Sequence, residues 1–118
     1  WVADLNRKSS LRINAFGHAG DGNLHVYFLS TEGSEQDKEL IETLIESLLK
    51  KAVALGGTLS GEHGIGLAKR KYLALEYDEP TLGSMRTIKA TLDPSNLFNP
   101  GKIFASAQKN DPFSLTPS

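Results

Sequence analysis

The chain holds three histidines, and all three fall in two glycine-rich stretches. The first runs Phe16-Gly17-His18-Ala19-Gly20-Asp21-Gly22-Asn23-Leu24-His25 and sets two imidazoles on either side of an Asp-Gly pair. The second, Gly61-Glu62-His63-Gly64-Ile65-Gly66, puts a carboxylate next to the third. With no cysteine in the chain, a bound metal has only imidazole and carboxylate to hold it. His18, His25 and Glu62 form a two-histidine, one-carboxylate set with an open position, as in catalytic Zn²⁺ sites and some Fe²⁺ or Mn²⁺ sites. His63 is then left beside the cation to move protons. Such a cation binds a hydroxyl and a carboxylate, lowers the hydroxyl pKa and orients the carbon to be attacked. Taken singly, each hairpin histidine reads better as a hydrogen-bonding group, and Glu62 better as an exposed carboxylate in a flexible turn. The pairing is what carries the metal reading. Neither a phosphate loop nor a dinucleotide fingerprint fits these glycines, because the Gly-Lys-Ser/Thr run and the Rossmann spacing are both absent.

A β-hairpin must position the first pair. Asp-Gly favours a two-residue type I′ turn, which makes Gly20 face Asn23, Ala19 face Leu24 and His18 face His25. Residues directly opposite have Cβ atoms about 4.5–5.5 Å apart. In that register Leu11, Ile13, Ala15 and Ala19 share an apolar face with Leu24, Val26 and Phe28. Arg12, Asn14, Phe16 and His18 share the other with His25, Tyr27 and Leu29, so both histidines lie on the mixed face.

Thr31-Glu32-Gly33-Ser34 is a polar break. Ser34 reads as an N-cap with Asp37 three residues on. Leu40, Ile41, Leu44, Ile45, Leu48, Leu49 and Ala52 then recur at helical spacing, with acidic residues leading, lysines closing and Gly56-Gly57 stopping the helix. Thr58-Leu59-Ser60 reads as a short strand into the second glycine-rich stretch. A second helix is expected from Leu67 to about Tyr77, basic at Lys69, Arg70 and Lys71. A third starts at Asp78-Glu79-Pro80, carries Leu82, Met85, Ile88 and Leu92 as its apolar stripe, and ends at Asp93-Pro94. The fold class is therefore α+β: an antiparallel β hairpin packed with about three helices. Residues 1–10 read as an irregular lead-in, 11–104 as the structured body and 105–118 as a frayed tail. The opening at Trp1 fits a piece entered partway through a larger protein.

Composition narrows the partners. The chain has 118 residues, is 39% hydrophobic and 23% charged, and has a net charge of −1, which gives no basic footprint for nucleic acid or an anionic membrane. No apolar run nears the roughly 20 residues of a membrane span, and no signal-peptide pattern opens the chain.

Three motifs, Gly17 to His25, Gly61 to Gly66, and Asp93-Pro94 through Asn99-Pro100-Gly101-Lys102, closely resemble those of the C-terminal domain of FAD-linked 2-hydroxy-acid dehydrogenases. That family includes D-lactate dehydrogenase, the FAD subunit of glycolate oxidase and D-2-hydroxyglutarate dehydrogenase. The likeness covers about Leu11 to Phe104. It implies that the segment is the later part of a ferredoxin-like cap domain, and that an FAD-binding domain upstream makes most cofactor contacts. His18, His25 and Glu62 then match divalent-metal ligands (Zn, Mn or Fe), and His63 a substrate-contacting histidine that takes the hydroxyl proton as hydride passes to the flavin. Tyr27 falls where some relatives place a substrate-touching asparagine. Asn99 lies in the motif whose asparagine approaches the flavin ring. The implied partners are a small 2-hydroxy acid and an electron acceptor such as a quinone, a cytochrome or an electron-transfer flavoprotein. The implied location is cytoplasmic, peripheral to a membrane, or mitochondrial in a eukaryote.

From this follows an expectation that the isolated chain is inactive, binds FAD weakly and self-associates through uncovered apolar surface. Two rivals use the same residues. A flavin-independent metal-dependent hydrolase would activate water at the cation, although no HExxH spacing is present. A non-catalytic metal-binding module would close the site with His63 as fourth ligand.

Overall fold

Alternating apolar side chains in the first motif region form two antiparallel strands, β1 (Arg12–His18) and β2 (Asn23–Leu29). The computed structural model describes residues 3–4, 11–30 and 33–104. It divides after Leu55 into two units. Of the expected lead-in only Ala3 and Asp4 are described, both helical, while the tail from 105 and the first half of the polar break lie outside the described residues.

The hairpin register differs from the expected one by two residues. Phe16 pairs with His25, Gly17 with Leu24 and His18 with Asn23, so His18 does not face His25 directly. The turn is the cause. Ala19–Asp21 make a single 3-10 turn, and Gly22 follows at φ 66° with its N–H donating to the Ala19 carbonyl. A type I′ turn needs positive φ at both central residues. Asp21 does not supply it, since Asn96 and Asn99 alone among the described non-glycine residues have positive φ. A shift of two leaves every side chain on its expected face, because the strand repeat is also two. The close approach this register produces is steric as well as conformational: a Cβ built on Gly17 would lie 1.9 Å from the Asn23 carbonyl oxygen.

The apolar face packs on helix α1 (Glu35–Ala54). Leu11, Ile13 and Leu44 are buried together, with Val26, Phe28, Leu40 and Ile41 against them. Burying a leucine or isoleucine side chain of this kind contributes about 1.5–3 kcal/mol. The Ser34 hydroxyl caps α1 by accepting from the Asp37 N–H at 3.1 Å. The Ser30 hydroxyl at the end of β2 donates to the Asp37 carboxylate and accepts from the Gly33 N–H, so strand and helix are tied at their junction. Glu35 and Asp37 lead the helix and Lys51 closes it, matching its dipole. It ends just before Gly56-Gly57, as the sequence indicated.

In the second unit the expected strand at Thr58-Leu59-Ser60 is absent. Side chains replace the ladder. The Leu59 N–H donates to Glu76 Oε2 at 2.8 Å and its carbonyl accepts from Lys69 Nζ at 2.8 Å, which satisfies backbone groups of a residue only 2% exposed. Leaving such a group without a partner costs about 1–3 kcal/mol. The expected second helix is also corrected: residues 67–69 turn, and Arg70–Leu75 form a 3-10 helix rather than an α-helix. Its buried pair, Tyr72 and Leu73, are adjacent in sequence instead of spaced for one α-helical face.

Helix α2 (Glu79–Leu92) starts as expected, with the Asp78 carboxylate accepting from the Thr81 N–H at 3.0 Å and proline in the first turn. Its stripe is buried at only one end. Leu82 is 1% exposed, whereas Ile88 is 60% and Leu92 77% exposed. A hairpin on one helix, followed by a 3-10 segment and a second α-helix, makes the described chain α+β. No helix among the described residues is long and apolar enough to cross a membrane.

Candidate metal and proton-transfer site

On the hairpin's mixed face the two imidazoles are diagonal neighbours. Their ring centroids lie 6.4 Å apart with the planes at 86°. His18 is exposed and His25 half-buried. Phe16, directly across from His25, has its ring centroid 5.4 Å away and stacks on Tyr27 at 5.3 Å with planes 13° apart. The row therefore runs from the imidazole pair to an aromatic pair, and Tyr27 stands beside the histidines through Phe16. Aromatic contacts of this kind stabilise by about 0.5–1.5 kcal/mol beyond area burial.

In the second unit Glu62 and His63 meet, Oε1 to Nε2 at 3.3 Å, with both side chains exposed. Their loop has no regular secondary structure and is held at its ends. Leu59 is fixed before it by Glu76 and Lys69. After it, the Gly66 carbonyl accepts the Arg70 N–H at 2.9 Å. Burial alone would raise the Glu76 pKa. The Leu59 N–H, the Thr58 hydroxyl and the Tyr77 hydroxyl outweigh it, and the carboxyl titrates below its ordinary value of 4.5.

The third motif is organised by Asp93, which the sequence shows as the end of a helix and the start of that motif. Its buried carboxylate accepts from the Leu97 and Phe98 N–H groups at 2.9 and 3.0 Å and from Lys89 Nζ. The Lys89 contact, followed by these backbone bonds, outweighs burial and holds its pKa below 3.8. Beyond this node Asn99 takes a left-handed φ of 48°, a conformation asparagine tolerates better than most residues. With Met85, Ile88, Ile103 and Phe104 it lines a mostly apolar cavity of about 280 Å³. The signal that could have found Asp93 is the Asx-type pattern of an aspartate ahead of a turn-rich segment.

Of the sequence-predicted residues, His18, His25 and Tyr27 thus stand together on the hairpin, Glu62 and His63 stand together on the second unit, and Asn99 lines the cavity of that unit. Two imidazoles set edge to face on one rigid ribbon, and a carboxylate, are donors that Zn²⁺, Mn²⁺ or Fe²⁺ accept, so the donor chemistry fits such a cation.

The described chain is thus α+β, with two imidazoles on the strands of its first unit and a Glu-His pair and an asparagine on the loops of its second. Residues 2–103 match the family described as FAD linked oxidases, C-terminal domain; the chain belongs to that family. It is similar to the glycolate oxidase subunit GlcD of Bacillus subtilis, with 39% identity over 88% of this chain and 22% of the relative. It is similar also to the mitochondrial D-lactate dehydrogenase (cytochrome) of Kluyveromyces lactis, with 42% identity over 81% of the chain and 16% of the relative. A third relative is the D-2-hydroxyglutarate dehydrogenase of Stutzerimonas stutzeri, 37% identical over 77% of the chain and 20% of that protein. The chain therefore spans about a fifth of the length of these relatives.

Proposed function

We propose that this chain is the C-terminal part of an FAD-dependent oxidoreductase that oxidises a D-2-hydroxy acid, of the lactate or glycolate type, to the 2-oxo acid. The observation that carries the reading is the packed pair His18 and His25 on one hairpin face, in a chain that belongs to the FAD-linked oxidase family. His18, His25 and Glu62 hold a divalent cation, Zn, Mn or Fe. Tyr27 offers its hydroxyl to the substrate, and Asn99 borders the flavin. When bound, the cation would supply Lewis-acid polarisation of the substrate hydroxyl, and FAD would supply the acceptor for the hydride on the substrate's Cα. His63, whose Nε2 faces Glu62, takes the hydroxyl proton at Nδ1, so one hydride and one proton leave the alcohol and a carbonyl forms.

Electrons then pass to a quinone, a cytochrome or an electron-transfer flavoprotein. The same reading puts the protein in the cytoplasm, peripheral to a membrane, or in mitochondria in a eukaryote. Family membership favours it over a flavin-independent hydrolase or a non-catalytic metal-binding module. The test is anaerobic mixing of the full-length, FAD-loaded protein with D-lactate, glycolate or D-2-hydroxyglutarate. Flavin bleaching by at least one acid, slowed about 100-fold or more by His63→Gln, is the expected result. Absence of bleaching with all three overturns the reading.

A further inference from the structure

The loop that carries Glu62 and His63 has no ladder or helix of its own, and yet its neck is closed from the other side. Lys69 spans it: its backbone N–H donates to the Gly66 carbonyl at 3.2 Å, while its side-chain Nζ donates to the Leu59 carbonyl at 2.8 Å. Glu76 grips the same entrance through the Leu59 N–H at 2.8 Å and the Thr58 hydroxyl at 2.8 and 2.9 Å. Lys69 and Glu76 flank the 3-10 helix Arg70–Leu75. From that helix Arg70 Nη1 donates to the Gly101 carbonyl at 2.7 Å, two residues beyond Asn99. One short rigid segment is thereby bonded to both motif loops of this unit.

We propose that Lys69 and Glu76 are positioning residues, which clasp Leu59 and so fix where the Glu62-His63 loop presents its carboxylate and imidazole. The role rests on the function proposed above for that loop. Charge-assisted bonds suit it, because they are shorter and about twice as strong as neutral ones. A clasp at the neck also leaves the loop crown open to substrate. Arg70 extends the arrangement to the asparagine loop, so the two loops are referred to one frame. Neither Lys69 nor Glu76 touches the reacting atoms; each acts through the backbone of Leu59.

The full-length, FAD-loaded protein tests this with four variants. Glu76→Ala and Lys69→Met remove the clasp, whereas Glu76→Gln keeps an oxygen that can accept from Leu59 and Thr58. Leu82→Val loosens the buried side of α2 without touching the clasp. Two readouts are taken: the rate of flavin reduction at saturating 2-hydroxy acid, and amide deuterium uptake over residues 60–66. The clasp variants are expected to slow reduction about 10- to 100-fold and to raise uptake in the loop, with the substrate KM changed far less. Glu76→Gln is expected to keep most of the wild-type rate, and Leu82→Val to lower the melting temperature with rate and loop uptake preserved. Wild-type rate and uptake in Glu76→Ala and Lys69→Met overturn the proposal, as does a Leu82→Val variant as slow as they are. A wild-type protein that reduces no flavin sinks the parent reading instead, and the deuterium uptake then decides the clasp by itself.

Discussion

At the scale of single residues, Gly17 and His25 show how side-chain size sets the hairpin's working face. Gly17 is the point where β1 and the Asn23 backbone come closest, and a methyl group there would collide with a carbonyl oxygen at 1.9 Å. The obstacle is backbone, which cannot swing aside as a flexible side chain can. Gly17→Ala is therefore expected to destabilise the first unit by about 1–3 kcal/mol, seen as a lower urea midpoint. An unchanged midpoint would show that the strands separate at little cost. The turn at 19–22 explains what the sequence left hidden. The faces of the hairpin were legible from Leu11, Ile13, Val26 and Phe28, because alternation alone assigns them. The register was not, because it depends on whether Asp21 adopts positive φ, and here Ala19–Asp21 form a 3-10 turn within a four-residue connection instead. The two histidines still share one face, as diagonal neighbours, only because the slip is even.

Capping and long-range side-chain bonds decide the elements. α1 was legible from its stripe and its cap, and the cap can be tested directly. Ser34→Ala removes the acceptor for the Asp37 N–H and is expected to cost about 0.5–2 kcal/mol, read as a fall in melting temperature; full retention would mean that Ser30 alone secures the junction. The stretch 58–77 was not legible, since what shapes it is Glu76 reaching back 17 positions and Lys69 reaching back 10. No local propensity reports that. The same bonds give the second unit its acid sensitivity. Glu76, Asp78 and Asp93 all titrate below their ordinary values of 4.5, 3.8 and 3.8. A depressed carboxyl stabilises the fold fully above its unfolded pKa, and the contribution is lost as pH falls through the lower folded value. Stability is thus expected to be flat above about pH 5 and to drop steeply below the ordinary carboxylate range. Asp93→Asn should be less stable at neutral pH and show a shallower acid slope by circular dichroism. An identical slope would remove Asp93 from the account.

Over the whole molecule, the chain spans only 16–22% of the relatives cited, and large apolar side chains stand exposed in its second unit. Ile88 and Leu92 lie one turn apart on α2, 60% and 77% exposed, and Leu97 and Phe98 follow at 73% and 72%. Asp93 holds the Leu97 and Phe98 backbone in place, so these side chains project from an ordered segment. Apolar groups gathered this way mark a surface that meets another surface. For the 118-residue chain on its own, the available surface is a second copy. Light scattering of the isolated chain is expected to show mass rising with concentration. Leu92→Ser combined with Phe98→Ser should return it toward the monomer, because both residues are exposed and neither contributes to the buried set of Leu59, Leu73 and Leu82. On the function proposed above, the same chain is expected to bind FAD weakly and to turn over no 2-hydroxy acid by itself. A strictly monomeric chain at high concentration, or stoichiometric flavin carried through purification, would show that the segment is self-sufficient and that its apolar patch serves some purpose other than docking.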